Sequence, residues 1–264
     1  MQMSPKVPHG HRDEWPTDHS EYPRKQFRRD NWLNLNGKWK FAFDTERKCR
    51  NPRDVKAWPL EITVPFVPEC EASGIADQGF HPSCWYERTF QFHPQKNGRV
   101  LLHFGAVDYS ARVWVNDQYV GEHEGGHTPF CFDITDVLAA GGEQKMTVWV
   151  LDDPQDLAKP RGKQDWQLNP HSIWYPRSTG IWQTVWIEEV PPTYLDYLNW
   201  SPHLERWEIG LEAFVVGPAR PGLQLKVRLN VEGRLLAHDT YEVVEDEVLL
   251  VDPQALNQRT IPTR

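Results

Sequence analysis

The sequence has no long hydrophobic run. No span of roughly 18 consecutive apolar residues, the length that a transmembrane helix needs, occurs among the 264 residues. The first 30 residues are polar and contain no apolar stretch of the kind found in secretory signal peptides. We therefore expect a cytoplasmic protein that does not associate with membranes.

Cysteine is scarce and scattered. The cysteines form no C-x-x-C pair and have no histidine partners at zinc-site spacing; they are Cys49, Cys70, Cys84 and Cys131. This spacing argues against a disulfide framework or a structural zinc ion and favours reduced, packed thiols.

Other potential metal ligands are present in weak patterns. His123 and His127 flank Gly125-Gly126, which disfavours the helix that an i, i+4 histidine pair needs to bind zinc. Asp152-Asp153 and Asp156 could bind calcium, but adjacent carboxylates are common at strand ends. The sequence also lacks a glycine-rich phosphate loop, a G-x-S-x-G elbow and a Cys/His nucleophile pair. We therefore predict no metal and no cofactor.

Positive charge is not in excess. The chain has 29 Lys and Arg against 37 Asp and Glu, for a formal net charge of −8. Nucleic acids and anionic membranes attract proteins through a basic excess, so neither is an expected partner.

Aromatic residues are abundant, with 13 Trp, 8 Tyr and 11 Phe. Large rings fill protein cores, and they also stack on the C–H faces of sugars. We expect most of them to be buried and a minority to face a ligand.

Alternating apolar residues predict short β-strands along most of the chain. Trp39, Phe41 and Phe43 alternate after the turn at Asn36-Gly37, and Asn116-Asp117 is predicted to close a hairpin. Further strands are predicted over 83–92, 100–104, 111–115, 128–133, 144–151 and 181–189. Only 134–140 looks helical, with Asp133 or Thr135 as N-cap. The fold class is therefore all-β, built from β-sandwiches.

The strand from Ile181 carries two tryptophans on one side. Trp182 and Trp186 are four residues apart, so we expect both to pack in the core.

Proline placement divides the chain into three parts. Residues 1–30 are polar and proline-interrupted and form a strap, and residues 31–190 form a first sandwich. Pro191-Pro192 reads as a stiff hinge before a second strand series at 193–264. That region is shorter than the ~100 residues of an immunoglobulin-like domain, so it is predicted to be a truncated or partial module.

Four segments, in this order and spacing, resemble a known family. They are Leu35-Asn-Gly-Lys-Trp39, Ser83-Cys-Trp-Tyr-Glu-Arg-Thr-Phe90, the stretch from Phe104 to Gly121, and the stretch from Ile173 to Glu189. Together they resemble the amino-terminal sugar-binding region of family 2 glycoside hydrolases, which include β-galactosidases, β-glucuronidases and β-mannosidases.

The resemblance implies a galactose-binding-like jelly-roll, then an immunoglobulin-like sandwich, then a TIM barrel that carries two catalytic glutamates. A barrel needs about 250 further residues. No parallel βα repeat is visible in this sequence, so no catalytic residue is assigned and the chain alone is expected to be inactive. The implied partners are the non-reducing-end sugar and the carboxyl-terminal barrel of the parent enzyme.

In intact family members a jelly-roll loop helps to bind the sugar, often through an acidic residue just before the tryptophan of the signature segment. Here Ser172 and Ile173 occupy that place, so Asp165 or His171 is the expected substitute. Arg and Gln donors beside flat rings suit a polyhydroxylated ligand. The predicted substrate-binding residues are Arg161, Gln164, Asp165, Trp166, His171, Trp174, Tyr175 and Arg177.

Alternatives remain at two levels. Arg177 could pair with a carboxylate and clamp the loop while the neighbouring rings pack. The chain could also be a freestanding lectin-like module or a β-sandwich that binds another protein, because fold alone does not fix function.

Overall fold

A computed structural model describes residues 22–95, 97–140, 142–245 and 260–263. The chain divides into two compact units. The first contains the residues up to His93 together with Val100–Glu188, and the second contains Pro94–Arg99 and the residues from Glu189 onward.

The first unit is an antiparallel β-sandwich. Its strands are β1 (Trp32–Asn34), β2 (Gly37–Phe43), β3 (Leu60–Val64), β4 (Ser83–Gln91), β5 (Arg99–Phe104), β6 (Val107–Asp108), β7 (Ser110–Val115), β8 (Gln118–Glu124), β9 (Phe130–Asp133), β10 (Glu143–Leu151), β11 (Gly180–Ile181) and β12 (Val185–Val190). A six-stranded sheet has the order β3-β2-β4-β10-β7-β8 and a four-stranded sheet has the order β1-β12-β5-β9. One buried cluster takes side chains from both sheets, including Phe41 and Val148 from the first and Leu102 and Ile187 from the second. The all-β prediction is confirmed.

Local sequence explains these strands. Trp39 and Phe41 of β2 are buried, and the indole N–H of Trp39 donates to the Leu35 carbonyl over 2.8 Å. Asn116 and Asp117 take φ values of 51° and 63° between β7 and β8, as the predicted hairpin requires.

The one or two helical turns predicted at 134–140 form only as a short 3₁₀ turn at Thr135–Val137. Side chains from outside the segment bond backbone groups that a longer helix would pair. Asn116 donates to the Val137 carbonyl over 2.8 Å, and Gln144 bonds both the N–H and the carbonyl of Ala139. These contacts stabilise a non-helical backbone on either side of the 3₁₀ turn.

The predicted strand from Ile181 is interrupted between β11 and β12. The Trp182 N–H donates to the Ala106 carbonyl over 3.3 Å, and the Gly105 N–H donates to the Thr184 carbonyl over 2.9 Å. Trp186 is buried as expected, but Trp182 is only partly buried, so its assignment to the core is wrong.

The described part of the predicted strap lies against a buried carboxylate. Glu188 is fully buried, and the Tyr22 hydroxyl donates to it. Arg24 and Arg29 each place a nitrogen 3.4 Å from its oxygens, and His103 Nε2 lies at 3.0 Å. Residues 1–21 of the strap lie outside the described residues.

The strands of the second unit are β13 (Tyr194–His203), β14 (Glu208–Val216), β15 (Gln224–Val231), β16 (Arg234–Glu245) and β17 (Thr260–Thr263). Among the described residues they form one five-stranded sheet in the order β13-β14-β17-β16-β15. Val215 and Val243 are its buried centre, with Leu195, Leu225 and Tyr241 packed against them. Glu232 and Gly233 both have positive φ at the predicted turn between β15 and β16.

Candidate functional site

The predicted substrate-binding residues all lie in the β10–β11 loop, residues 152–179, which connects β10 to β11. The loop is tied to the sandwich where it begins and where it ends. Asp152 forms a buried ion pair with Lys159, and it accepts a hydrogen bond from the Thr179 hydroxyl over 3.0 Å. The two ends of the loop are therefore joined through one carboxylate.

A second carboxylate meets the same threonine. Glu69 is buried and accepts a hydrogen bond from the Thr179 N–H over 3.2 Å. Burial raises the pKa of Glu69 to about 7, against the lowering effect of the Thr179 hydrogen bonds. Burial penalises the charged form, so this carboxyl binds a proton more readily than an exposed glutamate does.

Gln164 braces the middle of the loop. Its Nε2 donates to Asp108 over 2.6 Å, and its Oε1 accepts from the Ser178 N–H over 2.7 Å. Burial, with a smaller contribution from nearby Asp152, raises the pKa of Asp108 to about 6. We call Glu69, Asp108, Asp152, Gln164 and Thr179 the loop frame.

Asp165 organises the tip of the loop. It is buried and accepts hydrogen bonds from the Gln167 N–H over 3.0 Å and from the His171 N–H over 2.6 Å. His171 Nδ1 lies 2.7 Å from the same carboxylate. Burial raises the pKa of Asp165, but the hydrogen bonds outweigh it, so the pKa lies below its usual value.

Arg177 is buried and bonds backbone carbonyls. Its guanidinium donates to the Gln167 carbonyl over 2.7 Å and also to the Gln78 carbonyl. The guanidinium carbon lies 4.4 Å from the centre of the Phe80 ring. Arg177 thus clamps the loop through carbonyls, where the alternative drawn from the sequence had a carboxylate.

Aromatic side chains cover the outside of the loop. Trp166 is 40% exposed and Tyr175 is 61% exposed. Trp166 lies edge-on to His171 and to Trp174, with ring centres 5.3 Å apart in both cases, and Arg161 lies 5.1 Å from its ring. The loop therefore presents flat aromatic faces to solvent, with the half-buried guanidinium of Arg161 beside them.

The structure brings the eight predicted residues together in two roles. Gln164, Asp165 and Arg177 use their polar groups inside the protein, whereas Arg161, Trp166, His171, Trp174 and Tyr175 lie at the loop surface. The cavity among the loop residues measures about 10 Å³, which is the space of roughly one water molecule. A sugar therefore has no enclosed pocket within the loop itself.

Sequence reasoning missed part of the loop frame. The sequence pattern indicates Asp152 only as a possible calcium ligand and gives no signal for Glu69 or Asp108. Glu69 precedes Thr179 by 110 residues, so no local pattern connects them.

Within the described ranges, no group of three or more His, Cys, Asp or Glu side chains is arranged to hold a metal ion. No helix within those ranges has the length and apolarity that spanning a bilayer requires. None of the four cysteines, all of which lie in the described ranges, forms a disulfide; Cys84 is buried and Cys131 is exposed.

Comparison with known proteins finds a family model that matches most of the first unit. Residues 57–185 match the family model described as glycosyl hydrolases family 2, sugar binding domain. The chain is 29% identical over 252 residues to a β-glucuronidase of Felis catus, covering 83% of this chain and 38% of the relative. It is 32% identical over 112 residues to a β-galactosidase of Thermoanaerobacter pseudethanolicus, covering 42% of this chain and 14% of the relative.

Solved structures show the same fold. A Bifidobacterium dentium β-glucuronidase complexed with coumarin-3-O-glucuronide matches with a TM-score of 0.63 and 20% identity, covering 81% of this chain and 40% of that one. An apo β-glucuronidase from Ruminococcus gnavus matches with a TM-score of 0.59 and 20% identity, covering 80% and 37%.

This chain spans well under half the length of these relatives. The matched region contains most of the sandwich and the β10–β11 loop. Residues 57–185 of this chain therefore match the sugar binding domain of family 2 glycosyl hydrolases.

Proposed function

We propose that this chain is the carbohydrate-binding, amino-terminal part of a glycosidase that hydrolyses β-glycosides. The β10–β11 loop would contact the non-reducing-end sugar beside a catalytic TIM barrel. The observation that carries the proposal is the exposed aromatic surface of this loop on a rigid polar frame. Relatives named β-glucuronidase and β-galactosidase support this substrate class.

The loop surface suits one side of a sugar site. Trp166 and Tyr175 offer faces for the C–H side of a pyranose, and Arg161 and His171 offer hydrogen-bond donors beside them. Gln164, Asp165 and Arg177 would hold these groups in position without touching the sugar.

A second surface is needed to enclose the ligand. Ligand sites bury most of the surface of a small molecule, and the loop cavity of about 10 Å³ cannot do so. A barrel mouth facing the loop would provide the other wall, so sugar binding at the loop would require both parts.

The 264-residue chain should therefore release no nitrophenol from nitrophenyl β-glucuronide or β-galactoside. The reason is that no retaining pair of glutamates on barrel strand ends is assigned in it. Release that copurifies with the chain and exceeds the blank would contradict this expectation.

The contribution of the loop is measurable in a protein that joins this chain to its barrel. Tyr175→Ala and Trp166→Ala should each lower kcat/KM on a nitrophenyl β-glycoside by about 10-fold to 100-fold, because each removes a stacking face. Leu157→Ala is the matched control, since Leu157 is an exposed apolar residue of the same loop at 83% exposure. Unchanged kcat/KM in both aromatic variants would contradict the proposed role of the loop.

A further inference from the structure

We infer that the first unit has a second carbohydrate-binding site, in a groove to which the β10–β11 loop does not contribute. The groove has a volume of about 500 Å³ and is lined by Trp182, Trp186, His127, Gln183, Thr184 and three prolines, among others. This volume lies within the usual range of small-molecule sites, roughly 300 to 1,000 Å³. The inference does not rest on the function proposed for the loop.

Trp182 is held in a fixed orientation at the groove. The break between β11 and β12 leaves it partly exposed, and its indole N–H donates to the Gly126 carbonyl over 2.7 Å. The ring of His127 lies edge-on to it, with centres 5.5 Å apart. A ring that is already oriented loses little conformational freedom when a ligand stacks on it.

Trp186 is fixed from behind by a stack of buried groups. Its ring is nearly parallel to that of His103, at 5° and 4.7 Å, and His103 Nε2 lies 3.0 Å from the buried Glu188. Trp186 is only 7% exposed, so it forms part of the fixed wall of the groove.

The remaining groups favour a neutral sugar. None of the described residues that line the groove is Asp, Glu, Lys or Arg. Gln183 is exposed and has both donor and acceptor atoms, and the Thr184 hydroxyl accepts from Asn36 over 3.3 Å, which leaves its own proton available to donate. The fixed, partly exposed indole of Trp182 beside uncharged polar groups matches a pyranose, which has apolar C–H faces and hydroxyl edges.

The test is a titration of the 264-residue chain with methyl β-D-glucopyranoside, cellobiose and lactose, followed by tryptophan fluorescence and calorimetry. We expect saturable binding of at least one of these sugars with a Kd of roughly millimolar size. Trp182→Ala should weaken that binding at least tenfold, and Trp182→Phe should retain part of it because a ring remains. Trp207→Ala is the matched control, since Trp207 lies in the second unit and is 96% exposed.

Circular dichroism of each variant separates lost binding from lost folding. The inference is overturned if no neutral sugar binds saturably, or if a folded Trp182→Ala binds as well as the parent chain. Selective binding of a proline-rich peptide with no sugar binding would also overturn it. If Trp166→Ala and Tyr175→Ala abolish sugar binding while Trp182→Ala does not, the loop is the site and the groove inference fails.

Discussion

At the scale of a single residue, Glu69 makes the stability of the folded protein depend on pH. Its pKa is about 7 in the folded protein against an ordinary value of 4.5, so the folded state holds more protons between these pH values. Stability therefore falls as pH rises through this window. Relative to a glutamate of ordinary pKa, Glu69 lowers the free energy of unfolding at pH 8 by about 3 kcal/mol, because each pKa unit is worth ~1.4 kcal/mol.

Glu69→Gln should remove this cost, because the amide is never charged and its oxygen still accepts from the Thr179 N–H. We expect a higher melting temperature than wild type at pH 8 and a flatter profile between pH 5 and 8. Thermal melts at several pH values measure the effect. Glu71→Gln, at an exposed glutamate, is the control. No gain at pH 8 in Glu69→Gln would contradict the expectation.

A substitution of Arg177 tests whether its bonds to two backbone carbonyls stabilise the protein. Arg177→Lys keeps the charge but loses the planar fork that bonds two carbonyls and stacks on Phe80. We expect a loss of about 1 to 3 kcal/mol in the free energy of unfolding. Urea denaturation measures it. Arg161→Lys should change it much less, and equal losses in the two variants would show that the fork is unimportant.

At the scale of a secondary-structure element, the start of β11 depends on Gly180. Its φ is +91°, and a Cβ there would lie 2.1 Å from the Tyr86 hydroxyl oxygen, on a fully buried ring. Gly180→Ala should cost more than about 3 kcal/mol or prevent folding.

Gly162→Ala is the control for that substitution. Its φ is +59° and no atom lies within 4 Å of the added Cβ, so only the backbone preference opposes it. The cost should be about 1 to 2 kcal/mol in a chemical denaturation experiment. Similar costs in the two alanine variants would rule out the clash with Tyr86 as the dominant effect.

The sequence predicts an element well when its pattern is local. The alternation at Trp39 and Phe41 and the turn at Asn116-Asp117 are such patterns, and the structure confirms both. The 3₁₀ turn at Thr135–Val137 and the interruption before β12 depend on partners far along the chain. Periodicity within a window cannot detect such partners.

The attachment of the strap matters at the scale of the whole molecule. Burial raises the pKa of Glu188, but hydrogen bonds from His103 and Tyr22 and the nearby guanidinium of Arg29 outweigh it, so the pKa lies below its usual value. A lowered pKa contributes stability above the unfolded pKa, and this contribution is lost as pH falls through the folded one. The strap is therefore held most firmly near neutral pH.

Glu188→Gln should loosen the strap, because it removes the carboxylate that Arg24 and Arg29 approach. We expect a loss of roughly 3 to 5 kcal/mol, typical of breaking a buried ion pair, and faster tryptic cleavage at Arg24, Lys25 or Arg28. Glu122→Gln, which breaks the exposed pair with Arg112, should leave both unchanged. Unaltered tryptic cleavage in Glu188→Gln would argue against this attachment.

The sequence predicts the rigid loop but not the separate roles of its side chains. Proline, glycine and aromatic residues near Tyr175 indicate a rigid loop, and the structure places every proposed residue there. Whether a side chain faces solvent or the frame depends on distant groups, as for Gln164 with Asp108. The sequence alone could not separate these two roles.

Thr179 also bears on the order of events during biosynthesis. Its two carboxylate partners precede it by 110 and by 27 residues, so they leave the ribosome first. The loop cannot take its final form until strands distant in sequence have assembled, since long-range contacts form slowly. Aromatic side chains of the loop would therefore be exposed on the nascent chain until then. We expect chaperones to bind the chain mainly during this period of translation.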